Sequence, residues 1–249
     1  MTEISASQAP TAVSKSPLWQ KRLVIVLLAA MTLSLFSLVW RAGWASANYF
    51  QVQFWLYQWN ANQASLTEPR YQDAYQAMSR VLSYEPEHPH YLLMMAKVQE
   101  WGWFKGFVAT EQMQDVEQLY QQAIAKRPTW PVAYADYAWF LSSVQFRLTD
   151  AFAQLELAKQ HGPYLDEVQQ RVLAVSFSRW QHLTVPQKVV AYETLAQALK
   201  GHASLHRSTM DLVRTYRMER LGCIYLRSRA ANFSEQQNAR IQRDFCRAS

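Results

Sequence analysis

VEQLYQQAIAKRP, residues 116–128, carries the pattern that organises this chain. Val116, of modest size, is followed four positions later by bulky Tyr120 and three after that by Ala123, and Pro128 closes the unit five residues on. Steps of four and three fall on one face of a helix. The pattern recurs on either side. Ala74, Met78 and Val81 precede Pro86 in YQDAYQAMSRVLSYEP (71–86), and Ala151, Leu155 and Ala158 precede Pro163 in AFAQLELAKQHGP (151–163). A fourth copy, AYETLAQALKGHA (191–203), keeps Ala191, Leu195 and Ala198 but has Ala203 where the proline would stand. Small residues let helices approach closely, bulky ones fill the space between them, and proline ends a helix because it cannot continue the hydrogen-bond ladder.

Each copy is followed by a second apolar helical stretch: HYLLMMAKVQEWGW (90–103), VAYADYAWFLSSV (132–144), DEVQQRVLAVSFSRW (166–180) and STMDLVRTYRMERLG (208–222). Their expected inner contacts are Leu92, Met95 and Ala96, then Tyr134, Tyr137, Ala138 and Leu141, then Val172, Leu173 and Ser176, then Leu212, Val213 and Tyr216. The series resembles the tetratricopeptide repeat, a helix–turn–helix unit of about 34 residues. The Ala-x-x-x-aromatic and terminal-proline elements match, and the Trp, Leu-Gly and Tyr elements of its first helix do not. Successive prolines stand 42 and 35 residues apart, so the array is irregular. The resemblance implies an all-α fold, an irregular tetratricopeptide-like solenoid over residues 67–249.

One stretch interrupts the array. WGWFKGFVATEQMQD, residues 101–115, holds two of the chain's six glycines and four aromatic residues. Trp101, Trp103, Phe104 and Phe107, with Lys105, are candidate contacts for sugar rings or a partner helix; folding back as a small satellite core is the other reading. At the far end, Phe233 to Phe245 reads as a short last helix with Ser234 as its N-cap.

Towards the N-terminus lies LVIVLLAAMTLSLFSLVW, residues 23–40, without charge, proline or glycine. Extended back to Leu18 it is long enough to cross the hydrocarbon core of a bilayer, and Trp19, Trp40 and Trp44 sit where interfacial aromatics belong. Residues 18–43 therefore read as a single transmembrane anchor, preceded by a disordered cytoplasmic tail (1–17) and followed by an aromatic helix (44–66) that continues outward and packs on the first repeat. Lys15, Lys21 and Arg22 precede the span, whereas Arg41 alone closely follows it, which places the N-terminus in the cytoplasm and the bulk of the chain outside, in the periplasm of a bacterial inner membrane. Ala45-Ser46-Ala47 has the form of a signal-peptidase site and leaves a cleaved signal as the competing reading. Both readings export the repeats. An oxidising compartment favours joining the two cysteines, Cys223 and Cys246, with two free buried thiols as the other outcome.

The net charge of +6 is uneven: residues 200–249 carry ten basic groups against four acids, and residues 42–199 carry 11 against 14. Arg207, Arg214, Arg217, Arg220, Arg227 and Arg229, read as one face of the last long helix, form a candidate surface for an anionic polysaccharide, lipid headgroups or an acidic protein; a solvated face is the plainer reading. Export argues against nucleic acid as a partner. His88 and His90, and His202 and His206, read as solvated histidines rather than metal ligands, because neither pair has acids at ligand-like offsets beyond Glu85 and Glu87. Phosphate-loop, nucleophile-elbow and zinc-protease motifs are missing from the sequence, so no catalytic residue and no cofactor is assigned. A catalytic reading would require a cleft holding two or more ionisable groups with displaced pKa values.

The anchor, the aromatic helix after it and EPEHPHYLLMMAKVQEWGWF (85–104) together resemble the VpsP family of bacterial exopolysaccharide biosynthesis proteins. That resemblance implies a non-catalytic accessory scaffold of a polysaccharide synthesis and export machine, with other envelope proteins and the polymer as partners. A periplasmic assembly factor for a cytochrome or secretion complex would use the same architecture. The topology has a direct test. Alkaline phosphatase fused after Ser249 is expected to be active, and activity of a cytoplasmic reporter alone at that position would overturn the orientation.

Overall fold

The computed structural model describes residues 18–246; the tail expected over 1–17 lies outside them. The chain divides into two compact units, Met1–Ala47 and Asn48–Ser249. Among the described residues the protein is all-helical, with no strand.

Helix α1 (Leu18–Ala61) supplies all the described residues of the first unit. Every residue from Leu18 to Trp44 is exposed, including the whole apolar run. Its best 18-residue window has a mean hydropathy of 2.5 and none of it is covered by protein, so this helix is long and apolar enough to cross a membrane. Within the run the Thr32 hydroxyl donates to the Leu28 carbonyl at 2.8 Å, inside the helix, and so is satisfied without water.

The second unit begins with the remainder of α1 and continues through α2 (Glu68–Tyr84), α3 (Pro89–Phe104), α4 (Met113–Lys126), α5 (Pro131–Ser143), α6 (Leu148–His161), α7 (Asp166–Ser178), α8 (Val185–Lys200), α9 (Ala203–Thr215), α10 (Glu219–Ser228) and α11 (Glu235–Ile241). Proline punctuates both ends of the connections. Pro86 and Pro128 follow the ends of α2 and α4, while Pro89 and Pro131 open α3 and α5, where the missing N–H costs nothing. Each helix from α2 to α9 packs on the next, and α5, α7 and α9 also pack in turn on one another. All twelve residues of the fourfold pattern, from Ala74 to Ala198, are buried. Burying alanine at the close approaches costs little side-chain entropy and brings the backbones together, while Met78, Tyr120, Leu155 and Leu195 fill the remaining volume.

The C-terminal region departs from one expectation. The helix read over 208–222 is broken: α9 stops at Thr215, Arg217 adopts a left-handed φ of 54°, and α10 starts at Glu219. Met218, at the break, is buried in the core. Ser234 caps α11, accepting from the Gln237 N–H at 3.2 Å while the Gln237 side chain accepts from the Ser234 N–H at 2.9 Å. A π-helical turn, Gln242–Cys246, follows and packs on α10 and α11. There Phe245 is fully buried against Gly222, where an added Cβ would lie 3.1 Å from the ring.

Cys223 and Cys246 are joined in a disulfide with a Cα–Cα distance of 5.4 Å, bridging α10 to the final turn. A loop closed at a sequence separation of 23 contributes about 3 kcal/mol by restricting the unfolded chain. Replacing both cysteines with serine is therefore expected to lower the thermal midpoint of the second unit's unfolding and to increase protease cleavage after α10. An unchanged midpoint would show that the bridge carries no stability.

Candidate functional site

The second unit contains a cavity of about 700 Å³. Helix α1 gives one wall through Gln53, Leu56, Tyr57 and Asn60, a set spaced for a single helical face. Helix α3 gives another through Met94, Lys97, Trp101 and Phe104, again one face, with Glu100 and Trp103 beside it. Tyr120 of α4, Trp139 of α5 and Arg171 of α7 complete the lining that matters chemically. The two walls meet through aromatic contacts: Tyr49 lies 5.4 Å from Tyr91, and the Trp59 ring, fully buried, lies edge-on to Trp101 at 6.3 Å.

The base of the cavity is ionic. Asp136, 3% exposed, stands in an otherwise apolar helix. It accepts from Arg171 Nε at 2.7 Å and pairs with the Lys97 ammonium, so α3, α5 and α7 meet at one carboxylate. Burial pushes the Asp136 carboxyl up, but the Lys97 and Arg171 charges outweigh it and hold it below the usual range. The same carboxylate keeps Arg171 charged against its own burial. The Arg171 guanidinium lies over the Trp139 ring, 5.4 Å from its centre.

Glu100 behaves oppositely. Its carboxylate accepts from the Tyr120 hydroxyl. Burial raises it to about 7; the Tyr120 hydrogen bond, Arg171 and Lys97 pull it back in part, while Asp136 adds to the rise. Tyr120 is itself fully buried and pushed well above its ordinary value by that burial and by Glu100. It stacks on Tyr137 at 5.6 Å, and the Tyr137 hydroxyl donates to Glu117 at 2.6 Å, where Arg147 also binds at 2.8 Å. A polar network thus runs from the cavity through α4 and α5 to the start of α6.

Three of the five aromatic-loop candidates line the cavity. Trp101, Trp103 and Phe104 form the last turn of α3 rather than a loop, and Phe104 projects 55% exposed. Lys105 ends the helix and the Phe107 ring packs at a tilt on Tyr71 at 5.8 Å, both away from the lining. Gly102 makes this possible: a Cβ there would sit 2.5 Å from the Tyr71 ring, so only glycine lets α2 press against α3 between the two tryptophans. The six arginines are exposed but do not share one helix. Arg207 and Arg214 lie on α9, Arg217 in the break, Arg220 and Arg227 on α10, and Arg229 just beyond it.

His202 is exposed, as expected of a solvated histidine, whereas His206 is buried and His88 and His90 are half-buried. The His90 ring packs at a tilt on Trp130 at 4.1 Å and meets Arg127 at 3.0 Å, and His88 stacks on Tyr91 at 4.1 Å. His202 pairs with Asp166 at 2.9 Å, and buried His206 pairs with Asp244 at 3.2 Å. Their acid partners lie far off in sequence, which hid them. Among the described residues no group of three or more His, Cys, Asp or Glu side chains is arranged to hold a metal ion.

Lys97, Glu100, Asp136 and Arg171 were not among the residues singled out from sequence. The available signal was an isolated charge inside an apolar helix: Asp136 in VAYADYAWFLSSV, and Lys97 and Glu100 in HYLLMMAKVQEWGW. No protein-family model and no curated protein matches the chain.

Glu100 gives the site a pH signature. Its folded value, about 7, lies above the model-peptide value of 4.5. Its contribution to stability is therefore complete below pH 4.5 and lost as pH rises through 7. Glu100→Gln removes the ionisation. It is expected to raise stability at pH 8 by on the order of 2 kcal/mol and to change it little at pH 4.5, measured by denaturant or thermal unfolding. Equal effects at both pH values would refute this account of Glu100.

Proposed function

We propose that the protein is a membrane-anchored, non-catalytic scaffold of bacterial exopolysaccharide biosynthesis or export. In this reading the N-terminus is cytoplasmic, the anchor lies in the inner membrane and the helical unit is periplasmic. The observation that carries the proposal is the cavity of about 700 Å³, whose walls mix aromatic faces with amides and charges. Sites of about 300–1,000 Å³ suit ligands of a few rings, and this lining suits a polymer's sugar units. The contacts of each helix with its sequence neighbours, and of α7 with both α5 and α9, favour the irregular tetratricopeptide-like solenoid as its architecture. The disulfide fits an oxidising compartment. Other envelope or polysaccharide-synthesis proteins are the proposed partners of the remaining surface, including the exposed arginines of α9 and α10.

A catalytic reading draws on one observation, the raised pKa of Glu100 in a cleft beside Asp136, whose value is displaced the other way. The cavity wall, however, carries one carboxylate, Glu100, while Asp136 is enclosed by its two cations. Two-carboxylate glycoside hydrolysis needs both groups at the substrate. The scaffold reading is therefore preferred.

Deleting the gene is expected to lower secreted polysaccharide while leaving soluble glycosidase activity in place, with both restored or unchanged on complementation. Polysaccharide at the parental level would overturn the proposal. Loss of a soluble activity that returns with the wild-type gene but not with Glu100→Gln would favour the enzyme.

A further inference from the structure

We infer that the cavity is a binding site for a carboxylate-bearing sugar unit, its acid group held by Arg171 and Lys97 and its ring by the surrounding aromatic side chains. This rests on the polymer-contact reading above and specifies the class of sugar.

The cations make the first half of the argument. Arg171 spends Nε on Asp136; among the described residues its two Nη groups make no hydrogen bond. It is held rigid from both sides, by the Asp136 carboxylate and by the Trp139 ring. Lys97 is fixed by the same carboxylate, with its side chain 28% exposed. A planar guanidinium that is oriented by one acid and lines an open cavity offers its remaining fork to a second acid. The charge count agrees. Two cations face one permanent anion, Asp136, and Glu100 is the group whose ionisation decides whether the cluster has room for another.

The walls make the second half. Tyr57 and Phe104 are 72% and 55% exposed, and Trp103, held by a hydrogen bond from Nε1 to Thr110 at 3.2 Å, lines the cavity near them. The C–H face of a pyranose packs by dispersion on such rings, and its positive hydrogens meet the negative π-face. Its hydroxyls need donors and acceptors, which Gln53, Asn60 and Gln63 supply on the α1 side. An apolar peptide segment would leave these amides desolvated and unpaired, at a cost of about 1–3 kcal/mol each.

Binding is coupled to pH through Glu100. The groups facing Glu100 are Lys97 on its own helix, Tyr120 from α4, Asp136 from α5 and Arg171 from α7; Tyr57 lines the cavity from α1, and the α2 contact, Tyr71, lies at Gly102. Ionised Glu100 competes for the same cations, so an anionic ligand binds better when Glu100 is protonated, and affinity falls as pH rises through 7.

The test is calorimetric titration of the full chain in nanodiscs with tetragalacturonate, with cellotetraose as the neutral control and a glutamate-rich peptide as the acidic non-sugar control. Tetragalacturonate is expected to bind best, with affinity falling roughly tenfold from pH 6 to pH 8. Glu100→Gln is expected to hold the pH 6 affinity at pH 8, and Trp103→Ala to weaken sugar binding more than tenfold with the fold intact by circular dichroism. Equal binding of cellotetraose would overturn the carboxylate assignment. Equal binding of the peptide would overturn the sugar assignment in favour of a protein partner. No binding of any probe would overturn the inference while the effect of gene deletion on secreted polysaccharide still stood as a separate result.

Discussion

Asp136 is the point at which three helices depend on one another. A carboxylate at 3% exposure is costly unless it is fully compensated, and here Lys97 from α3 and Arg171 from α7 compensate it on the wall of α5. Removing the carboxylate would leave two cations unpaired inside the protein, and removing either cation would leave the acid with a single partner. The arrangement therefore ties the spacing of α3, α5 and α7 to a chemical requirement and not to packing alone. The ring stacking of Tyr120 and Tyr137, with Glu117 and Arg147 behind them, carries the ordering outward to α4 and α6.

Much of the helical plan was legible because its signals are local. Ala74, Ala151 and Ala191, with their bulky partners four residues on, bury on the face that the spacing indicates. The same holds for Ala96, Ala138 and Ser176 in the second helices. The apolar run after Lys21 and Arg22 is likewise a local property, and it emerges as an uncovered helix. What failed was a break that local pattern does not encode. The 208–222 region has continuous helical periodicity, yet Arg217 turns the chain so that Met218 reaches the core formed by α8, α9 and α10.

The candidate site was legible only in part, for a related reason. Trp101, Trp103 and Phe104 stood out because aromatics and glycines are concentrated there. Arg171 did not, since it lies 35 residues from the acid that orients it and looks like any surface arginine in its own helix. Glu100 and Tyr120 are 20 residues apart and meet only once α3 and α4 are packed. His206 and Asp244 pair across 38 residues in the same way. Ion pairs and hydrogen bonds between helices have no periodic trace in sequence, whereas burial does. The one usable hint was negative: a charge on a face where neighbours are apolar must have a partner somewhere.

The bridge between Cys223 and Cys246 bears on how the end of the fold assembles. Helix α11 has seven residues, too few to hold helical structure on its own. Once the cysteines are joined, its docking against α10 becomes a search within a short tether, at an effective concentration that for flexible links of this kind is in the millimolar range. Phe245 and Ile241 then have little space to explore before they find the surface around Gly222 and Leu195. The oxidation state of two sulfur atoms thus acts as a concentration term. It decides whether the last turn behaves as part of the core or as a separate, weakly bound ligand of it.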